Sequence, residues 1–148
     1  MVIDVPAMTR TCPSCSAPNR IPPARLGDSA KCGRCKGALG RLAEPINIGN
    51  EADFDALIAG AKLPVLVDYW AEWCGPCRMV APEVKKLAQS HAGRLLVAKV
   101  DTESLPGVAR RFQITGIPTL MLFRDGQEAK RVSGAMPAAQ IARTFDLS

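Results

Sequence analysis

The sequence predicts an α/β fold with a small cysteine-rich ribbon at its N-terminus, and three observations carry that reading. From residue 46 onward, apolar runs of strand length alternate with segments of helical period. One Cys-x-x-Cys pair, Cys74 and Cys77, lies between such a strand and such a helix. Two further pairs, Cys12/Cys15 and Cys32/Cys35, fall within the first 45 residues, so no cysteine is left over.

A length of 148 residues suits one ordinary domain with an appendage. The predicted division is 1–45 for the ribbon with its linker (39–45) and 46–148 for the α/β domain. Hydrophobic residues make up 47% of the chain, as in a folded soluble protein. Net charge is +5, and much of the excess sits before residue 45, where basic residues outnumber Asp4, Asp28 and Glu44. That asymmetry fits an acidic or nucleic-acid partner, or, more plainly, solubilising charge around a metal site. Residues 1–8 lack the basic and apolar regions of a secretory leader. The longest apolar runs are strand-sized, well short of the ~20 residues of a membrane span. The expected compartment is the cytoplasm, with no membrane partner. Structural disulfides are rare there, so six cysteines need a metal or a redox role.

Sixteen residues separate the first two pairs. This is zinc-ribbon spacing: each turn can present two sulfurs to one ion at about 2.3 Å. It predicts one structural zinc per chain on Cys12, Cys15, Cys32 and Cys35. The alternatives are iron in a rubredoxin-like site, two disulfides, or free thiols. Gly33 suits the tight second turn and Gly37 a positive φ just beyond it. Pro18, Pro22, Pro23 and Gly27 leave no room for a long helix. So small a segment is not expected to fold without its metal. Its role is open between a stability or spacing module, a docking or substrate-selecting element, and a sensor whose thiolates oxidise. Nucleic-acid binding is the weakest reading, because the ribbon has no aromatic residue to stack on bases.

In the second segment, residues 46–48 alternate like a short strand. Asn50 reads as a helix N-cap with Asp53 in the first turn, followed by Phe54, Leu57 and Ile58 at helical spacing and ended by Gly60. The near-continuous apolar run 65–70 predicts a central strand buried on both faces. Asp68 interrupts it: either it lies at an exposed edge or hydrogen-bonds locally, or it is a buried acid of raised pKa. A helix over 78–91 presents Val80, Val84, Leu87 and Ala88 on one face, with a kink expected at Pro82. His91 reads as a surface residue without a catalytic role. A strand follows over 95–100, and a helix over 105–112. Strands over 119–124 and 128–132 form a hairpin across Asp125-Gly126, and a last helix ends at Phe145. Pro118, taken alone, signals a turn or a strand edge.

The position of the third cysteine pair is chemically pointed. A helix N-terminus carries partial positive charge and unpaired N–H groups, which favour the thiolate of Cys74. Pro76 has no N–H and suits the first helical turn. Cys77, expected deeper and less exposed, would keep a higher pKa and act second.

Residues 68–77, Asp-Tyr-Trp-Ala-Glu-Trp-Cys-Gly-Pro-Cys, together with Gly116-Ile117-Pro118-Thr119, resemble the thioredoxin family, and the likeness extends over 46–148. With four more cysteines ahead of it, the chain is similar to the zinc-carrying second class of bacterial thioredoxins. The resemblance implies a mixed five-stranded sheet flanked by helices. It implies Cys74 as nucleophile, Cys77 as resolving thiol and Asp68 as a buried acceptor of the Cys77 proton through a water. Lys99 matches the partner lysine of that acid; otherwise it is a surface lysine. A cis Ile117–Pro118 bond would face the cysteines, and Trp73, Gly75, Pro76, Ile117, Pro118 and Gly134 would form a docking surface, ordinary packing being the other reading of Trp73. The implied activity is protein disulfide reduction with a couple near the family's about −270 mV. The implied partners are disulfide-containing client proteins and an NADPH-dependent thioredoxin reductase. No bound organic cofactor is expected, since no nucleotide-binding glycine motif occurs. A disulfide isomerase or oxidant, and a zinc-regulated binding module or chaperone without catalysis, are the competing readings.

Overall fold

The computed structural model describes residues 8–147; the leader reading of the segment before Met8 lies outside the described residues. Two small antiparallel hairpins come first: β1 (Thr9–Thr11) with β2 (Pro18–Arg20), and β3 (Ala30–Lys31) with β4 (Ala38–Gly40). A single 3-10 turn, Pro23–Arg25, lies between them, as the local density of proline requires.

The rest alternates strand and helix: β5 (Ile46–Asn47), α1 (Glu51–Gly60), β6 (Val65–Trp70), α2 (Gly75–Ser90), β7 (Leu96–Asp101), α3 (Pro106–Arg111), β8 (Thr119–Arg124), β9 (Gln127–Ser133) and α4 (Ala138–Thr144). The five strands form one mixed sheet in the order β5-β7-β6-β8-β9, parallel through β5, β7 and β6 and antiparallel at β8 and β9. β6 is central, which explains its near-continuous apolar run. α1 begins as expected, with Asn50 Oδ1 accepting from the Asp53 N–H at 2.8 Å. The Asp53 carboxylate is itself buried and unpartnered, within the positive end of that helix. α2 runs through Pro82, which costs one backbone bond but does not end the helix.

Strand alternation sorts the core into two layers. Val65, Val67 and Tyr69 face α1 and α3, packed with Phe54, Leu57 and Val108. Leu66 faces the other way, among Val84, Leu87 and Ile141 of α2 and α4. The ribbon joins the first layer: Met8, Ile21 and Leu26 are fully or almost fully buried in the same cluster as Phe54 and Ile46. Several of its contacts fall at one pole. A Cβ on Gly27 would strike Leu63, one on Gly60 would meet Pro23, and one on Gly93 would strike Arg41. These partners sit where α1 ends, β6 begins and α2 turns into β7. Gly93 also has φ +85°. Gly93→Ala is therefore expected to lower stability by about 1–2 kcal/mol from the left-handed backbone alone. A urea midpoint that does not move would show the turn to be adaptable.

Candidate functional site

The two cysteine sites are set by the backbone around them. In the ribbon, the turns Cys12–Cys15 and Cys32–Cys35 repeat one geometry. The Cys12 N–H donates to Ala17 O and the Ser16 N–H to Cys12 O; the Cys32 N–H donates to Gly37 O and the Lys36 N–H to Cys32 O. The positive φ falls on Ser16 (63°) and Lys36 (66°), not on Gly37 as the sequence predicted. Gly37 serves close approach instead, since a Cβ there would lie 3.2 Å from Cys35 Sγ. The turns place the four sulfurs within 4.8 Å of one another, with Cys12 to Cys35 and Cys15 to Cys32 both at 3.6 Å. A tetrahedron of metal–sulfur bonds of about 2.3 Å has edges of about 3.8 Å, so the set fits one such ion. The backbone N–H groups of Cys35 and then Arg34 hold the Cys32 thiol down to about 6, and that of Cys15 lowers Cys12 likewise. Cys12 and Cys32 are thus favoured as thiolates, the form that ligates, whereas burial and the neighbouring sulfurs push Cys15 up to about 12.

The second site lies at the opposite end of β6. The strand ends at Trp70, the chain crosses Ala71–Trp73, and Cys74 becomes the N-cap of α2. The Cys77 N–H donates to Cys74 Sγ at 3.2 Å, and the two cysteines are joined in a disulfide with Cα atoms 5.3 Å apart. The expected difference in depth is not present: each cysteine is 3% exposed. The reason is the loop before β8, whose Ile117 carbonyl lies 3.7 Å from Cys74 Sγ. Ile117–Pro118 is cis. Beside it the Gly134 N–H donates to Pro118 O at 2.9 Å, and Gly134 has φ +103° with open space where a Cβ would be. Trp73 is 68% exposed, so the packing alternative for it falls away, and Gly75 and Pro76 are exposed next to it.

Two residues beyond the motif signals extend this face. Met79 is 69% exposed on the first turns of α2. With Met136, Ala135, Pro137 and Glu83 it lines a groove of about 310 Å³. An exposed methionine two residues after Cys77 was the available sequence signal, but a helix surface alone does not reveal the groove.

In β6, the strand that leads to the disulfide, Asp68 is fully buried, and neither carboxylate oxygen has a hydrogen-bond partner. This removes the exposed-edge reading. Asp68 shares the α2 face of the sheet with Leu66 and pairs in register with Lys99 of β7. Burial pushes its pKa up to about 7, and the Lys99 charge opposes the rise. Lys99 forms no ion pair with it; its ammonium sits over the Trp70 ring, 5.0 Å from the centroid. Trp70, Cys77 and Lys99 together border a cavity of about 120 Å³, large enough for water.

The buried acid has a consequence for stability. The folded pKa lies above the ordinary 3.8, so the cost of ionising Asp68 is absent below about pH 4 and fully present above about pH 7. Three units correspond to on the order of 4 kcal/mol. Asp68→Asn is thus expected to stabilise the fold at pH 8 by up to that amount and to leave it nearly unchanged at pH 4. Urea titrations at the two pH values check this, and an equal effect at both would deny the raised pKa.

A helix-capping sulfur bonded to the cysteine one turn on, facing a cis-proline loop on this sheet, can exchange disulfides. The fold and site thus define a thiol–disulfide oxidoreductase that carries a four-cysteine ribbon. The chain belongs to the thioredoxin family: the family model "Thioredoxin" matches residues 45–146, and the model "Thioredoxin 2, N-terminal" matches 11–37. It is 41% identical to Thioredoxin C-3 of Corynebacterium nephridii over 94% of both chains. It is 54% identical to Thioredoxin 1 of Chlorobaculum tepidum over 59% of this chain and 86% of that one. Among solved structures, a mutant thioredoxin from Halobacterium salinarum superposes with a TM-score of 0.65 at 31% identity, over 70% of this chain and 89% of that one. No helix among the described residues is long and apolar enough to cross a membrane.

Proposed function

We propose that the protein is a protein disulfide reductase. The Cys74 thiolate attacks a client disulfide, forming a Cys74–client bond and releasing the client's other sulfur as a thiolate. Cys77 then gives its proton to Asp68 through a water and attacks the Cys74 sulfur. The second client thiolate leaves, and the Cys74–Cys77 disulfide is restored, so two electrons pass to the client. Lys99 limits how far the Asp68 pKa rises. An NADPH-dependent thioredoxin reductase would return the pair to dithiol. The observation that carries this reading is the Cys77 N–H on Cys74 Sγ at the start of α2, which stabilises negative charge on that sulfur.

Trp73, Gly75, Pro76, Ile117, Pro118 and Gly134 would receive the client, and the Met79–Met136 groove would extend that surface. An extended client segment can hydrogen-bond to the backbone near Ile117. Residues 46–148 form the catalytic domain in this reading, and 1–45 the ribbon with its linker. The sulfur spacing and donor set favour zinc on Cys12, Cys15, Cys32 and Cys35. Zinc held there would cross-link the two hairpins and leave no open coordination position. A reducing compartment, the cytoplasm, fits a chain whose six cysteines are all in Cys-x-x-Cys pairs.

Alkylation of the fully reduced protein by iodoacetamide tests the assignment. Cys74 is expected to react first, with an apparent pKa below the about 8.5 of a free thiol. Preferential labelling of Cys77, or titration of Cys74 like free cysteine, would overturn it. A couple well above about −200 mV against glutathione would instead favour an oxidant or isomerase.

A further inference from the structure

The ribbon carries charge that its metal site does not use. Between residues 8 and 41 there are seven basic side chains and one acidic one, Asp28. A divalent ion with four thiolates offsets only two of those charges, and the segment stays strongly positive. Arg10 is consumed structurally, donating to the Gly40 and Leu39 carbonyls and so tying the hairpins together. Arg20, Arg25 and Lys31 border one groove of about 240 Å³, with Ile21, Pro22 and Ala30 as its apolar part. Arg25 faces Asp28 at 3.7 Å, but both side chains are about two-thirds exposed, so this pair holds it weakly.

The groove is also bounded by backbone with hydrogen-bonding capacity. β2 pairs only with β1, and β3 only with β4, so each presents an open edge among the described strands. Residues of both strands line the groove. The Gly33 N–H donates to Asn19 Oδ1 at 2.9 Å, fixing one hairpin against the other. A fixed groove between strand edges suits an extended chain, whose alternate side chains point to opposite sides. With an apolar floor and a cationic rim, the complementary chain alternates apolar and acidic residues. A nucleic acid fits less well: residues 8–45 contain no aromatic side chain for stacking, and an apolar floor offers phosphates nothing.

We propose that this groove binds an extended polypeptide segment of alternating acidic and apolar residues, with carboxylates on Arg20, Arg25 and Lys31 and apolar side chains on Ile21, Pro22 and Ala30. The ribbon meets the rest of the fold where β6 begins, while Cys74 follows its end. The site is therefore separate from the disulfide and does not depend on the redox assignment.

The test uses the full zinc-loaded chain and a fluorescein-labelled, cysteine-free octapeptide of alternating Glu and Leu. Binding is expected by anisotropy, with amide shift changes confined to residues 19–33. Raising salt from 50 to 500 mM is expected to weaken it at least tenfold. Arg25→Glu combined with Lys31→Glu is expected to do the same, while disulfide exchange at Cys74 is unchanged. Should that double variant lose its zinc, Arg25→Ala alone is expected to weaken binding about threefold. Absence of binding, equal binding of an alternating Lys–Leu peptide, tighter binding of a twelve-nucleotide oligouridine RNA, or shifts centred on Trp73 would each overturn the proposal.

Discussion

In a Cys77→Ser variant, reaction with a client disulfide is expected to stop at a covalent Cys74–client adduct, and turnover is expected to vanish. The position of the second sulfur sets this outcome. Cys77 is one helical turn from Cys74, with its own N–H directed at the Cys74 sulfur at 3.2 Å. Well-oriented intramolecular groups act at effective molarities of about 10⁵–10⁸ M, so millimolar thiol in solution is a poor substitute. A serine hydroxyl does not ionise near neutral pH and cannot displace the client. Non-reducing gels and intact mass measure the adduct. Cys74→Ser is expected to give neither adduct nor turnover, because the charge-stabilised position is then empty of sulfur. If Cys77→Ser turned over normally, or if the adduct formed on residue 77 in Cys74→Ser, the order of attack would be reversed and the role of the α2 N-terminus with it.

The same pair shows what the sequence made legible and what it did not. The strand–turn–helix around Cys74 could be read because three local signals agree there: an apolar run, a proline in the first turn and a helical apolar face. Asp68 could be flagged because a carboxylate in a continuous apolar run has few inexpensive explanations. Its side of the sheet and its register with Lys99 depend on β6 pairing with β7, a long-range fact. The equal burial of Cys74 and Cys77 was hidden for a related reason. What covers Cys74 is the Ile117 carbonyl, 43 residues away in sequence. In the ribbon the spacing revealed the ligand set, but glycine misled about φ. Ser16 and Lys36 take the left-handed conformation because each knuckle turn demands it at the residue after its second cysteine, whatever that residue is. The burial of Met8, Ile21 and Leu26 with the α1 layer left no periodic trace, since the ribbon's strands are only two or three residues long.

Removal of the proposed zinc, by chelation or by Cys32→Ser, is expected to unfold the ribbon and spare the redox chemistry. Metal binding at such thiolate sites is worth about 10–16 kcal/mol in small zinc modules, as much as the stability of a whole domain. The ribbon has little else to hold it: two hairpins of two- and three-residue strands and one 3-10 turn. Amides of residues 8–41 are therefore expected to lose hydrogen-exchange protection. Those of β6, β7 and β8 are expected to keep theirs, since the central sheet pairs without any ribbon strand. The melting temperature of the remainder is expected to fall, because Met8, Ile21 and Leu26 no longer cover the α1 layer. Activity is a different matter. β6 is six residues long, about 20 Å, and the ribbon touches the fold at its start whereas Cys74 follows its end. Disulfide exchange by the metal-free protein, measured below its melting temperature, is expected within about twofold of the loaded form. A loss of exchange in step with metal release, while β6 to β8 stay protected, would mean that the ribbon acts on the cysteine pair through the α1 layer. The two poles would then have to be treated as one coupled site.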